Sequence, residues 1–528
     1  MKPQKKLLAT LSASALLLGA CALNTPELGA VTPAPTTSPT EPAPTNGPAG
    51  DGPVAIDAQM PTPPAGLEEF YTQDVDWQDC GGFQCADVTV PLNYDDPDGE
   101  TITIAMLKRP ADGDAIGSLF VNPGGPGGSG KDVAESAEYY FDGDIRASFD
   151  IIGFDPRGVG DSSPIECVDD ETLDRLLDAS YPDTDKGTKE YEKDLNTIAD
   201  GCAENSGDLL DFVGTNSAAQ DIDVMRQLVG DPKLYYTGFS YGTFLGAEYA
   251  EQFPDNVGRL VLDGAVDNTI GSARMAYDQT LAFEKSFERY VEDCQANTSS
   301  CPFEGDVDDG LAQIHQIFED SLENPIETSD PDRPLTQAQL FGGMILPMYE
   351  DMLWPQLTQA FNEVIEDGNG DTFQMFNDMS NERNDDGTFE TNGTEANWAI
   401  NCADYGPGSS DEAKELSEKL EEEAPIFGSY MTEGEDLCSE WAYQPDETPG
   451  ALTASGSDPI VVVGTIYDPA TPYHWAEALN SSLDNSVLVT WEGDGHTAYS
   501  RADSCINDPL NAYLLQGTVP EDGLTCEK

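Results

Sequence analysis

Seven short apolar runs, at 102–107, 118–122, 149–154, 234–237, 260–263, 460–464 and 487–491, alternate with stretches of helical periodicity. A strand that is apolar on consecutive residues, rather than on every second one, has to be covered on both faces. Repeated strands of this kind joined by helix-length connections predict βα units around a mostly parallel sheet, an α/β fold. Between 266 and 450 the pattern changes. Helix-period apolar residues recur over 277–291, 310–322, 337–352 and 356–365, and strand-like runs are scarce. The chain therefore divides into an N-terminal part of the α/β core at 65–265, a large, mainly helical cap inserted at 266–450, and a C-terminal part of the core at 451–528. The two strand-rich blocks together have the size of one domain.

Charge narrows the partners. The 528 residues hold 24 Lys+Arg against 99 Asp+Glu, a formal net charge of −75. Such a chain has no basic footprint with which to displace counterions from phosphates, which excludes a nucleic-acid partner. At the N-terminus, Lys2, Lys5 and Lys6 precede an apolar segment at 7–18, so 1–20 reads as an export signal. Its end, Leu18-Gly19-Ala20-Cys21, resembles the bacterial lipobox. That resemblance implies lipidation of Cys21 and anchoring on the extracellular face of the cell membrane. Residues 21–64, rich in Pro, Thr and Ala, read as an extended tether. Apart from Cys21 the chain has ten cysteines: Cys80, Cys85, Cys167, Cys202, Cys294, Cys301, Cys402, Cys438, Cys505 and Cys526. An even count in an exported protein suggests disulfides. Ten cysteines allow many connectivities. The simplest pairs sequence neighbours: 80–85, 167–202, 294–301, 402–438 and 505–526. No CxxC pair exists and there are three His, which argues against a metal–thiolate site.

The segment Gly238-Phe239-Ser240-Tyr241-Gly242 follows the run 234–237 and precedes a helical pattern from Thr243 to Phe253, stopped by Pro254. Glycines two before and two after the serine permit a sharp strand-to-helix turn. The hydroxyl is then exposed at a helix N-terminus, where developing negative charge is favoured. A serine nucleophile needs a base. His315 lies in a helical run and His474 opens another helix. His496, in Gly493-Asp494-Gly495-His496 just beyond the run 487–491, sits on a glycine-flanked loop free to face a serine. Asp468, after the run 460–464, is the candidate acid to orient the imidazole. Asp263, ending the run 260–263, is the rival, and Asp494 is expected to shape the turn at His496. The stretch Asn122-Pro123-Gly124-Gly125-Pro126-Gly127-Gly128-Ser129-Gly130 has five glycines in nine residues directly after an early strand. That is the place of an oxyanion loop. Gly125 and Tyr241 are the expected N–H donors.

Taken together, the segments 122–130, 154–162, 238–242, 468–472 and 493–496 resemble the secreted actinobacterial tripeptidyl aminopeptidases and their proline-iminopeptidase-like relatives. These are serine exopeptidases of the α/β-hydrolase class. The resemblance covers about 66–528. It implies an α/β-hydrolase fold with a helical cap, a triad of Ser240, Asp468 and His496, an oxyanion hole from Gly125 and Tyr241, and no metal or organic cofactor. The expected activity is cleavage of peptide bonds near a free N-terminus with release of short fragments. The early loop begins Asn-Pro where the iminopeptidases have His-Gly-Gly-Pro, so a contribution from that histidine is absent. Asp155 and Arg157 are expected to be architectural. An α-ammonium calls for a carboxylate partner, and Asp404 is the candidate. Two other readings stand beside this one: a carboxylic-ester hydrolase using the same triad, and a lipid-anchored binding protein with a degenerate site.

Overall fold

The computed structural model describes residues 52–182, 184–428, 435–445 and 449–528; the leader 1–20, Cys21 and the tether up to residue 51 lie outside them. Ten strands form one sheet: Gln78–Cys80 (β1), Phe83–Pro91 (β2), Thr101–Arg109 (β3), Ser118–Asn122 (β4), Asp150–Phe154 (β5), Leu234–Phe239 (β6), Val257–Asp263 (β7), Ile460–Tyr467 (β8), Ser486–Asp494 (β9) and Leu524–Glu527 (β10). Their order is β1-β2-β3-β5-β4-β6-β7-β8-β9-β10. From β5 to β10 every pairing is parallel, whereas β1, β2 and β3 make an antiparallel edge. All seven apolar runs are strands. The three strands without such a run have physical reasons to differ. β2 alternates buried and exposed residues over Ala86–Val90, because one of its faces meets solvent. β1 and β10 have three and four residues, and a disulfide ties each to its surroundings.

The cysteines pair with their sequence neighbours, 80–85, 167–202, 294–301, 402–438 and 505–526. The segment at 266–450 is not one layer. Helices Ser272–Asn297, Val307–Glu323, Gln337–Tyr349 and Trp354–Asn362 build a second core of their own around Phe283, Phe287, Phe341 and Phe361. Helix Gly393–Tyr405 departs from the expected cap. Its Ala396, Trp398 and Ile400 join the main core with Val213, Ile222 and Tyr241. Helical periodicity reveals that a face is buried, not which layer buries it. The tether also ends earlier than the boundary at 64: Val54 N–H donates to Leu515 O (2.8 Å) and Ile56 N–H to Tyr235 Oη (2.8 Å).

Within the cap, Glu284 is buried and accepts from the N–H groups of Ile426 and Phe427 at 3.2 Å each. Burial pushes its carboxyl up to about 7 from an ordinary 4.5, against the pull of those two bonds. The folded state therefore holds this proton more tightly than the unfolded chain does. Its contribution is fully present below about pH 4.5 and is lost as pH rises through 7. Glu284→Gln is expected to flatten that dependence and to gain on the order of 2 kcal/mol relative to the wild type at pH 8. Urea unfolding of both proteins at pH 5 and pH 8 measures it; a difference that does not grow with pH would count against this account.

Candidate active site

β6 ends at Phe239, and Ser240 makes the turn into helix Tyr241–Gln252 at φ 54°, ψ −126°. A non-glycine residue held there carries strain of roughly 1–3 kcal/mol. The surroundings enforce it. Ser240 N–H donates to Asp263 O at 2.9 Å, and a Cβ on Gly238 would lie 2.2 Å from Gly242 O, so only glycine fits there. The hydroxyl is thereby carried at the C-terminal edge of the parallel strands.

Two neighbouring strands bring an acid and a base to the same edge. Asp468 directly follows β8, and His496 lies two residues past β9. His496 Nδ1 is 2.9 Å from both carboxylate oxygens of Asp468. Asp468 further accepts from Ala470 N–H (2.9 Å), Thr471 N–H (2.8 Å), Thr471 Oγ1 (3.0 Å) and Thr497 N–H (3.1 Å). Asp468 and His496 are 2% and 4% exposed. A carboxylate so surrounded by donors assigns the imidazole proton to Nδ1, which leaves a lone pair on Nε2. Nε2 is buried and has no hydrogen-bond partner among the described residues, Ser240 Oγ included. The two groups pack around one corner. Asp263 O takes the Ser240 amide, and a Cβ on the next residue, Gly264, would be 3.1 Å from His496 Cε1. Contacts of this kind are commonly loose before substrate binds.

The other candidates fall elsewhere. The carboxylate of Asp263 receives the N–H groups of Ala498 (3.0 Å) and Tyr499 (2.7 Å), so it holds the loop after His496 rather than the imidazole. Burial pushes it up to about 6. Asp494 pairs with Arg289 and with Lys528. His474 meets Asp278 at 3.0 Å and is half exposed, and His315 lies in helix Val307–Glu323. Arg157 is fully buried and clasps Asp221 through Nε (2.8 Å) and Nη2 (2.7 Å). Asp155 receives Ser129 Oγ (2.5 Å) and Asp161 N–H (3.0 Å), pinning the end of the glycine loop. Both are architectural.

In that loop Gly124 and Gly125 have φ of 103° and 104°. A Cβ on Gly124 would sit 2.7 Å from Ser240 Cβ, so the loop backbone lies directly against the serine. Gly125, Ser240 and Tyr241 line one narrow pocket, closed by Met275, Tyr405 and Trp475. Asp404 is not in that lining. Its oxygens are taken by Thr215 N–H (2.8 Å) and Thr215 Oγ1 (2.6 Å), and burial pushes it up to about 7. Its placement is that of a buried brace at the start of helix Thr215–Val229, not of a group facing a substrate amine.

Sequence reasoning missed three contributors. Asn397 Nδ2 donates to Pro126 O (3.0 Å) and so fixes the glycine loop. Asn401, one turn further along the helix, lines the pocket. An i, i+4 pair of asparagines, Asn397 and Asn401, flanking the apolar stretch Trp398-Ala399-Ile400 was the available signal. The third is Tyr349 at the end of cap helix Gln337–Tyr349. Its carbonyl accepts His496 N–H (2.9 Å), and its ring meets the imidazole edge-on at 5.0 Å.

Comparison with known proteins agrees with this fold. The alpha/beta hydrolase fold family matches residues 117–306, and the family described as TAP-like protein matches residues 424–526. Serine protease Hip1 of Mycobacterium tuberculosis is 35% identical over 478 residues, covering 86% of this chain and 91% of its own. Carboxylesterase B of the same organism is 32% identical, covering 85% and 89%. Tripeptidyl aminopeptidase of Streptomyces coelicolor is 29% identical, covering 86% of each chain. With a relative above 30% identity along most of its length, the elbow at Ser240 and a C-terminal TAP-like segment carrying both Asp468 and His496, this chain belongs to the tripeptidyl-aminopeptidase-like family of α/β-hydrolases.

Proposed function

We propose that the protein is a serine peptidase that releases short fragments from the free N-terminus of peptides. The observation that carries the reading is the imidazole of His496, clasped by Asp468 through Nδ1 and left with an unpartnered Nε2 beside the strained turn at Ser240. In this reading Nε2 takes the Ser240 proton as Oγ attacks the scissile carbonyl, and Asp468 stabilises the resulting imidazolium. The N–H groups of Gly125 and Tyr241 receive the oxyanion, each such donor contributing ~3–4 kcal/mol to the transition state. The imidazolium then protonates the departing amine. The C–N bond breaks, and an acyl-enzyme remains on Oγ. Water, deprotonated by the same Nε2, adds to the acyl carbon, and the C–Oγ bond breaks to return the serine. The names of two relatives, a serine protease and a tripeptidyl aminopeptidase, support a peptide substrate. Export and lipid anchoring at Cys21 belong to the same reading, and the five disulfides suit an oxidising compartment.

A tripeptide anilide with a free N-terminus is expected to be cleaved at least ~10-fold more efficiently than its N-acetylated form. Losing one charge-assisted contact to the ammonium costs about 1.5–3 kcal/mol. The relative named carboxylesterase B gives the ester-hydrolase reading a specific basis. Equal rates on the two anilides, with faster turnover of simple acyl esters, would favour that reading instead.

A further inference from the structure

A second, much larger opening meets the site on its other side. A groove of about 1530 Å³ runs between the core segment 132–140 and the cap, reaching Tyr349 and His496. The narrow pocket holds Gly125, Ser240 and Tyr241, the groups that face the acyl half of a substrate; the groove holds His496 and none of those three. Tyr349 lines both, so the two spaces adjoin there. The leaving amine takes its proton from the imidazole and must depart on the imidazole's side. The groove therefore lies where the chain beyond the scissile bond leads. The buried, unpartnered Nε2 of His496 marks the inner end of this path as open to a ligand.

The groove's chemistry is specific. Nine carboxylates line it against three arginines. Those arginines are already engaged: Arg333 with Asp378, Arg383 with Asp174, and Arg501 with Glu350 and Asp351. The carboxylate of Asp132 makes no ion pair and accepts no hydrogen bond among the described residues, although Lys131 lies next to it in the chain and partly offsets its charge. Facing it is Glu382, whose partner is the neutral Thr391 hydroxyl. Burial pushes Asp132 up to about 6, with the charges of Asp155, Glu382 and Glu135 adding and that of Lys131 opposing them only in part. Three of the seven exposed large apolar side chains among the described residues sit on the same rim: Tyr139 (69%), Met352 (72%) and Met375 (42%). Six of the nine acids make no ion pair among the described residues, and such acids beside exposed aromatic and thioether groups form a surface for a basic, partly apolar peptide.

We propose that this groove binds the leaving-side segment of the substrate and selects chains carrying lysine or arginine just beyond the cleaved bond, with Asp132 and Glu382 as the cation partners. The inference rests on the peptidase reading above. It is tested with peptides sharing one free N-terminal tripeptide and differing only in the next residues, Lys-Lys or Glu-Glu. The readout is the ratio of their kcat/KM values, in which the fraction of active enzyme cancels. The wild type is expected to favour the lysine peptide by ~10-fold or more at low salt, equivalent to about 1.4 kcal/mol. The preference should shrink at 0.5 M salt. In the Asp132→Asn/Glu382→Gln variant the ratio should fall to ~3-fold or less. Neutralising two acids away from the groove, Glu418→Gln/Glu422→Gln, should leave it unchanged; both residues lie exposed on helix Ser410–Glu423. Should the double variant fail to fold, the single variants give the same ratio. Efficient cleavage of both peptides at equal rates, or a preference that the groove substitutions do not alter, overturns this inference alone. No cleavage of peptides or anilides overturns the peptidase reading and this inference with it.

Discussion

Replacing Ser240 with alanine is expected to lower kcat by ~10⁵–10⁶, to the level at which only binding and the oxyanion donors still contribute. Alanine keeps the Cβ that packs against Gly124 and can adopt the same turn, so the fold should persist. Circular dichroism and the unfolding midpoint should match the wild type, while hydrolysis of a free N-terminal tripeptide anilide disappears. Labelling by a fluorophosphonate, which needs an activated serine, should vanish in parallel. A folded Ser240→Ala protein that still turns over the anilide would remove Ser240 from the mechanism.

Asp468→Asn is expected to be the next most damaging change, lowering kcat by ~10³–10⁴ with a much smaller effect on KM. The reason lies in the proton inventory. Asp468 presents only acceptors, so Nδ1 carries the hydrogen and Nε2 the lone pair. An asparagine can turn its NH₂ toward Nδ1, which moves the hydrogen to Nε2 and removes the base. The variant should also lose stability, by about 1–3 kcal/mol. A single amide oxygen cannot receive the N–H groups of Ala470, Thr471 and Thr497, and any left without a partner are buried. Steady-state kinetics and urea unfolding read the two effects separately. If kcat falls less than tenfold, Asp468 is not what sets the tautomer.

The parts of this molecule that were legible in sequence are those where one physical demand determines residue type over several positions. The centre of the run 118–122, Leu119-Phe120-Val121, had to be apolar because both of its faces are covered, and the run coincides with β4. The elbow needed glycine at 238 and 242 for clearance, so context and composition pointed to Ser240 together. His496 stood out among three histidines because it follows a strand and is flanked by glycine. Asp404 was misread for the opposite reason. A carboxylate on a half-apolar helix looks the same whether it faces a ligand or, as here, Thr215 from a segment 189 residues away. The hydrogen bond from His496 to Tyr349 runs to a carbonyl, and a main-chain acceptor leaves no mark on residue choice. Helix Gly393–Tyr405 shows the same limit for packing: its apolar face was visible, its destination was not.

The place where the N-terminal segment joins the body has an orientational consequence. Val54 and Ile56 are fastened to Tyr235, Arg259 and Leu515, and two of those partners stand near the starts of β6 and β7. Ser240 stands past the far end of β6. Ser240 lies five residues beyond Tyr235, a separation of roughly 17 Å along the strand. The N-terminal segment thus meets the body at the end of the sheet opposite the serine, and a long polypeptide reaching Ser240 does not pass the place where Val54 and Ile56 are fastened.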